Sequence, residues 1–268
     1  MKITAITVCV GYTDFLCWSI TENKTLFDNW IVVSSTTDTK TKELCDNNNL
    51  MCLQTNAFYE KGIFNKYAGI NAALDYLGKD YDGWVLFLDA DIVLHSLTKY
   101  ILEKLPLDKN KVYGVDRVNC IGLESWLDYV SKRNSVFQNW LLHTSGMPFG
   151  ARLVHYFGEA RDEGKFLGWR PLGFFQLCHR GSFSSYPENT IGADHCDLEF
   201  IRNWKRGDRE LIPEILAIHL ESVGATKGMN WHGRKSLPFS LNQKSSWSFK
   251  FKQWTKTKIE KIKYSFKC

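Results

Sequence analysis

The apolar positions along the chain fall into short runs separated by helical spacings, and together they predict alternating strands and helices. Ile3-Thr4-Ala5-Ile6-Thr7-Val8-Cys9-Val10 is rich in β-branched residues and stops at Gly11, which predicts a first strand. Asp14 stands where it can cap a helix carrying Phe15, Trp18, Ile20 and Leu26. Residues 30–35 read as a second strand, followed by a polar loop over residues 36–41 that contains Asp38. Residues 50–54 make a short third strand, and a helix opens near Asn65 and closes at Gly78. Trp84-Val85-Leu86-Phe87-Leu88 is a continuous apolar run, the pattern of a strand buried on both faces. Further on come a helix over residues 97–105 stopped by Pro106, a strand over 112–116, and an amphipathic helix around Trp126 and Tyr129. Residues 117–170 read as the variable, substrate-shaping part. Residues 171–177 are strand-like, residues 192–198 open a helix, and residues 211–219 bring a last strand. The β, α, β, β, α, β order of the first ninety residues argues a mostly parallel, Rossmann-like central sheet flanked by helices.

The buried strand ends in Asp89-Ala90-Asp91. Asp is disfavoured in strands and costly to bury unpaired, so both acids belong at the strand's C-terminal end, where open α/β sheets hold ligands. Their i, i+2 spacing points both carboxylates the same way if the backbone stays extended. Two converging carboxylates repel unless a cation lies beside them, and Mg²⁺ or Mn²⁺ suits such oxygen ligands while bridging to phosphates. The chemistry implied is a metal-held diphosphate; the plainer reading is a polar turn that ends a strand.

With 268 residues, 44% of them hydrophobic, the chain suits one α/β domain with room for an extension. The 10 Trp are enough to line a sugar or base pocket as well as a core. The net charge of +5 is compatible with an anionic substrate. The 8 Cys are scattered without a C-x-x-C pair, which argues against a disulfide framework and makes a reducing cytoplasm the expectation. The apolar start reads as a strand, not a leader, and no segment is long enough to span a bilayer. From Phe249 the character changes: Lys250, Lys252, Lys256, Lys258, Lys261, Lys263 and Lys267 accompany Phe251, Trp254, Ile259, Ile262 and Phe266 at helical spacing. Residues 241–268 therefore read as a basic amphipathic helical tail. It suits an anionic membrane surface, a stripe packed on the domain, or a phosphate backbone.

Taken together, these stretches resemble the GT-A fold glycosyltransferases, the nucleotide-sugar transferases with a D-x-D motif, over roughly residues 3–235. The resemblance implies one domain over residues 1–240, with a nucleotide-sugar-binding half (1–117) and an acceptor-binding half (118–240). It implies donor contacts from Val10 at the end of the first strand, from Asp38, and from the Asn65-Lys66 to Asn71 helix entry through Lys66 and Asn71. Asp89-Ala90-Asp91 is the nearest match to the family's motif, whose last Asp binds the metal while the first reaches the ribose or donor sugar. Ile218-His219-Leu220-Glu221 resembles the late strand whose His completes the metal shell, so Asp89, Asp91 and His219 are the implied ligands of Mn²⁺ or Mg²⁺. Asp194-His195-Cys196-Asp197-Leu198 resembles the acidic segment carrying the base of inverting members, which leaves Asp194, His195 and Asp197 as candidates. Arg234 and Lys235, in a Gly- and Asn-rich basic loop, are candidates to close over the diphosphate.

The function expected from this resemblance is inverting transfer of a sugar from a nucleoside diphosphate, a UDP-sugar by default, to a hydroxyl of a surface polysaccharide or a lipid-linked glycan. The tail would then rest on the inner membrane face. Two alternatives stay open: a phage-type transferase acting on hydroxymethylated bases in DNA, and a non-catalytic nucleotide-binding module.

Overall fold

The computed structural model describes residues 1–60, 62, 64–136, 152–154, 159–162, 165–187, 196–224, 229–230 and 233–241. The basic tail over residues 249–268 lies outside the described residues. In chain order the elements are β1 (Ile3–Val8), α1 (Thr13–Asn23), β2 (Asn29–Ser35), α2 (Thr39–Asn47), β3 (Met51–Thr55), α3 (Lys66–Leu77), β4 (Trp84–Leu88), β5 (Ile92–Val93) and α4 (Thr98–Lys104). There follow β6 (Val112–Ile121), α5 (Leu123–Val136), β7 (Arg152–Val154), β8 (Glu159–Asp162), β9 (Lys165–Trp169), β10 (Phe175–His179), α6 (Cys196–Phe200), β11 (Arg209–Glu221), β12 (Met229–Asn230) and β13 (Gly233–Arg234).

One nine-stranded sheet runs β3-β2-β1-β4-β10-β6-β11-β5, with β7 paired to β6. β1, β2, β3, β4, β6 and β11 point one way; β5, β7 and β10 point the other. The α/β class and the mostly co-directional sheet are as the pattern predicts. The order β3-β2-β1-β4 reverses between β1 and β4, and such a switch point opens a crevice beyond the strands' C-terminal ends.

β4 shows why the centre holds. Trp84, Leu86 and Leu88 pack in the core on one face, beside Phe15, Trp126 and Phe175, while Val85 and Phe87 pack in the core on the other, beside Tyr67, Ile70 and Phe200. All five are buried, each contributing roughly 1.5–3 kcal/mol. α3 begins and ends where the sequence predicts, because the Asn65 side chain accepts from Tyr67 N and Ala68 N and Gly78 N–H closes on Leu74 O.

Four features differ from the sequence expectation. The polar loop after β2 turns at Asp38 into α2, with Asp38 as its N-cap. Asp14 lies inside the first turn of α1 and does not cap it. The strand expected to end at Asp116 continues as β6 to Ile121, with Val118, Asn119 and Cys120 buried and residues Asp116 to Ile121 paired in register with Leu216 to Glu221 of β11. β11 is also longer than expected, and its register against β6 shifts between Leu211 and Leu216, around Pro213, which has no N–H to give the ladder.

Candidate functional site

The turn after β4 is held from three directions. Asp89 N–H donates to Phe174 O (3.2 Å), ahead of β10, and Leu220 N–H of β11 donates to Asp91 O (2.8 Å). From α1, the Ser19 hydroxyl donates to Ala90 O (2.8 Å), and the Asn23 amide bridges Ile92 O (2.8 Å) and Leu94 N (2.9 Å). Ser19 and Asn23 are fully buried. Satisfied buried polar groups of this kind fix the backbone, so the two carboxylates leave it at set angles.

Their partners differ. Lys66, the first residue of α3, pairs with Asp89. His219 Nε2 on β11 lies 3.3 Å from Asp91 Oδ2. Asp91 Oδ1 is buried and has no hydrogen-bond partner among the described residues. Burial pushes Asp89 above the usual carboxylate range; Lys66 opposes this, and the neighbouring Asp91 adds to it. Burial also acts to raise Asp91, but His219 beside it, its hydrogen bond and the Arg117 guanidinium outweigh that and hold its carboxyl low. Lys66 is held above the usual lysine value because Asp89 overcomes the effect of burial. The two acids thus differ in direction, Asp89 held up chiefly by burial and Asp91 held down by His219 and Arg117.

Below the turn lies a cavity of about 270 Å³ lined by Lys66, Asp89, Arg117, Phe174, Tyr186 and Asp197, among others. Arg117 stacks its guanidinium over the Phe174 ring at 4.6 Å. On the cavity wall, Asp197 Oδ2 accepts from Gly173 N (2.9 Å) and Oδ1 from Leu198 N (2.9 Å). A Cβ at Gly173 would come within 2.8 Å of Asp197 Cβ, so only glycine lets the two chains approach this closely. The Tyr186 ring stacks on Tyr67 at 5.6 Å, and its hydroxyl donates to Gln176 Oε1 (2.5 Å).

The cluster therefore brings together Lys66, Asp89, Asp91, Asp197 and His219 from the residues the sequence singled out. Ala90 contributes its carbonyl to the anchor, and Val10 is half-buried against the second core. Other residues on that roll are engaged elsewhere. Asn71 gives both ends of its amide to the Tyr186 backbone (2.8 and 3.1 Å) and is not on the cavity wall. Asp38 accepts from four donors, Gly11 N, Ser34 Oγ and Thr41 Oγ1 on Oδ2 and Thr41 N on Oδ1. Arg234 pairs bidentately with Asp14 (2.6 and 2.8 Å) and bonds Gly11 O, Ser236 and Leu237 O, with its face 4.5 Å from the Tyr12 ring centre. All five of its N–H groups are used inside the protein. Lys235 is exposed. Asp194 and His195 lie outside the described residues, just ahead of α6.

Sequence reasoning missed Arg117 and Asn119, which stand on the extension of β6, and Asn119 meets His219 at the sheet edge. The polar-apolar alternation from Asp116 to Cys120 is the signal that finds them.

Asp91 and His219 suit a hard divalent cation: a buried carboxylate oxygen without a partner among the described residues, a carboxylate and an imidazole face to face, and a second acid two residues away. Among the described residues no group of three or more His, Cys, Asp or Glu is arranged to hold a metal by itself. Such a site is completed by ligand oxygens, as is usual for Mg²⁺ with phosphates. All seven described cysteines are free, and among the described residues no helix is long and apolar enough to cross a membrane.

No family model and no curated protein matches the chain. Among solved structures it is similar to glucosyl-3-phosphoglycerate synthase from Mycobacterium tuberculosis in complex with Mn²⁺, UDP and glucosyl-3-phosphoglycerate. That match has 12% identity over 43% of this chain and 44% of that one, with a TM-score of 0.33. It is also similar to mannosyl-3-phosphoglycerate synthase from Rubrobacter xylanophilus, at 18% identity over 44% of this chain and 40% of that one, TM-score 0.34. A crystallised mycobacterial protein overlaps more widely, over 82% of this chain and 65% of its own, at 12% identity and a TM-score of 0.44. The chain thus spans less than half the length of either synthase. Overlaps this partial and this distant fix neither substrate nor reaction.

Proposed function

We propose that the chain is a metal-dependent, inverting glycosyltransferase that moves a sugar from a nucleoside diphosphate to a glycan hydroxyl. The observation that carries this reading is the buried Oδ1 of Asp91, without a partner among the described residues, on a carboxylate whose Oδ2 faces His219 beside the Lys66–Asp89 pair at the sheet's switch point. Asp91 and His219 are the residues to hold Mn²⁺ or Mg²⁺. When bound, the ion neutralises charge developing on the leaving diphosphate. Asp89, fixed by Lys66, receives hydroxyls of the donor, and the Lys66 ammonium adds positive charge on the diphosphate side. Phe174 and Tyr186 close the wall of the cavity with their rings already packed, Phe174 under Arg117 and Tyr186 against Tyr67 and Phe200.

Across the cavity, Asp197 acts as the base. The acceptor oxygen bonds to the sugar's anomeric carbon as the carbon–phosphate-oxygen bond breaks; the acceptor proton passes to the Asp197 carboxylate and the electron pair leaves on the diphosphate. The two backbone N–H groups on Asp197 hold its oxygens in place while leaving lone pairs for that proton.

The test is a donor screen. The full chain is incubated with Mn²⁺ and UDP-, GDP-, ADP-, CDP- and TDP-sugars, UDP first, and release of nucleoside diphosphate is followed. One donor class turned over, with the rate lowered about 10²–10⁴-fold in Asp197→Asn, supports the reading. Release from none of them overturns it.

A further inference from the structure

β6 and β11 run parallel, with Asn119 in register with His219 and Ile121 with Glu221. The period of two along β11 puts His219 and Glu221 on the same face. There they meet the Asn119 side chain, whose residue is 1% exposed. Asn119 Nδ2 donates to Glu221 Oε1 at 2.8 Å, and Asn119 Oδ1 lies 3.3 Å from His219 Nδ1. Glu221 is itself tied to the end of β6, since its carbonyl accepts from Gly122 N (2.7 Å).

The chemistry of each group gives this chain of contacts a direction. An ionised carboxylate only accepts, so the nitrogen end of the Asn119 amide must face Glu221 and its oxygen must face the imidazole. An amide oxygen also only accepts, so it calls for the ring proton on Nδ1. In the neutral ring the lone pair then falls on Nε2, the nitrogen 3.3 Å from Asp91. Glu221 Oε1 lies 3.6 Å from Nδ1, too far for a hydrogen bond but close enough to favour the same proton position.

We propose that Asn119 and Glu221 are positioning residues that set the tautomer and angle of His219 and so make its Nε2 a metal ligand. The inference rests on the metal site of the proposed transferase and deepens it: neither residue touches the ion, and both act through the ring. Outer partners of this kind are worth about 10–100-fold in metal affinity.

The experiment measures Mn²⁺ affinity by electron paramagnetic resonance on the full chain, for wild type, His219→Ala, Asn119→Leu, Glu221→Ala and Glu221→Gln. Alongside it, ¹⁵N NMR of the Mg²⁺-saturated protein locates the His219 ring proton. The expected result is Mn²⁺ binding lost in His219→Ala and weakened about 10–100-fold in Asn119→Leu, with the ring proton on Nδ1 in wild type. Glu221→Gln, whose side chain still accepts from Asn119, should lose less than Glu221→Ala. Glu221 lies at the partly exposed edge, so Glu221→Ala carries the test if Asn119→Leu does not unfold cooperatively. Wild-type binding that disappears in His219→Ala but is unchanged in Asn119→Leu and Glu221→Ala overturns the positioning role and leaves the metal site standing. A ring proton on Nε2 with the ion bound overturns it as well. No Mn²⁺ binding by wild type removes the metal site, and this inference with it.

Discussion

Two charged clusters lie at the C-terminal edge of the sheet, one on each side of its switch point, and they are made of similar residues. Around Asp89 and Asp91, a lysine, a histidine and two acids converge, yet Asp91 Oδ1 is left without a partner. Around Gly11, Asp38, Asp14 and Arg234 converge, and the described contacts occupy them: Asp38 holds four donors and Arg234 uses all five N–H groups. Gly11 sits between them with φ +69, its N–H on Asp38 and its carbonyl on Arg234. The contrast teaches that residue type does not separate a strut from a site; unspent hydrogen-bonding capacity does. A saturated cluster stabilises the fold, while an unsaturated buried oxygen is a cost that a ligand removes.

Substitutions can break this contrast or sharpen it. The largest effect is expected from Asp91→Asn. Metal-dependent nucleotide binding should fall by about 1000-fold or more, roughly 4 kcal/mol, with the urea midpoint unchanged or raised. A stability loss instead would make Asp91 a strut. Arg234→Met should do the reverse. It leaves Asp14 unpaired in a half-buried setting and should cost about 2–3 kcal/mol by chemical denaturation, while the Mn²⁺ affinity of the folded protein stays where it was. Asp38→Ala removes the cap of α2 and the anchor on Gly11, and should lower stability by about 1–2 kcal/mol. The smallest effect should come from Ser19→Ala, about 1 kcal/mol of stability from one buried hydrogen bond to Ala90 O, read in the same denaturation series.

The same contrast explains what the sequence could and could not disclose. β4 and its terminal acids were legible because a strand buried on both faces is apolar at every position and because two acids at its end have no structural explanation. α3 was legible through Asn65 and Gly78, whose capping roles are local. Lys66 and His219 fell into place on the resemblance and do meet the acids. The partners that Arg234 and Asn71 hold within the protein, Asp14 and the Tyr186 backbone, were not legible because they lie 220 and 115 residues away along the chain. Asp38 differs from them: its partners include Thr41, three residues on, so its role as the cap of α2 is a local signal that was there to be read. Arg117 and Asn119 were hidden because polar residues within a strand look like its end when the partner strand is unknown.

The measurement that bears most directly on the central claim is calorimetry of nucleoside diphosphate binding to wild type and Asp91→Asn, each with and without Mn²⁺. Expected is binding of one nucleotide that needs the metal in wild type and is lost in Asp91→Asn while that variant stays folded. If no nucleotide binds in a metal-dependent way, or if Asp91→Asn binds as wild type does, the unpartnered carboxylate is only the end of a strand and the transferase reading falls.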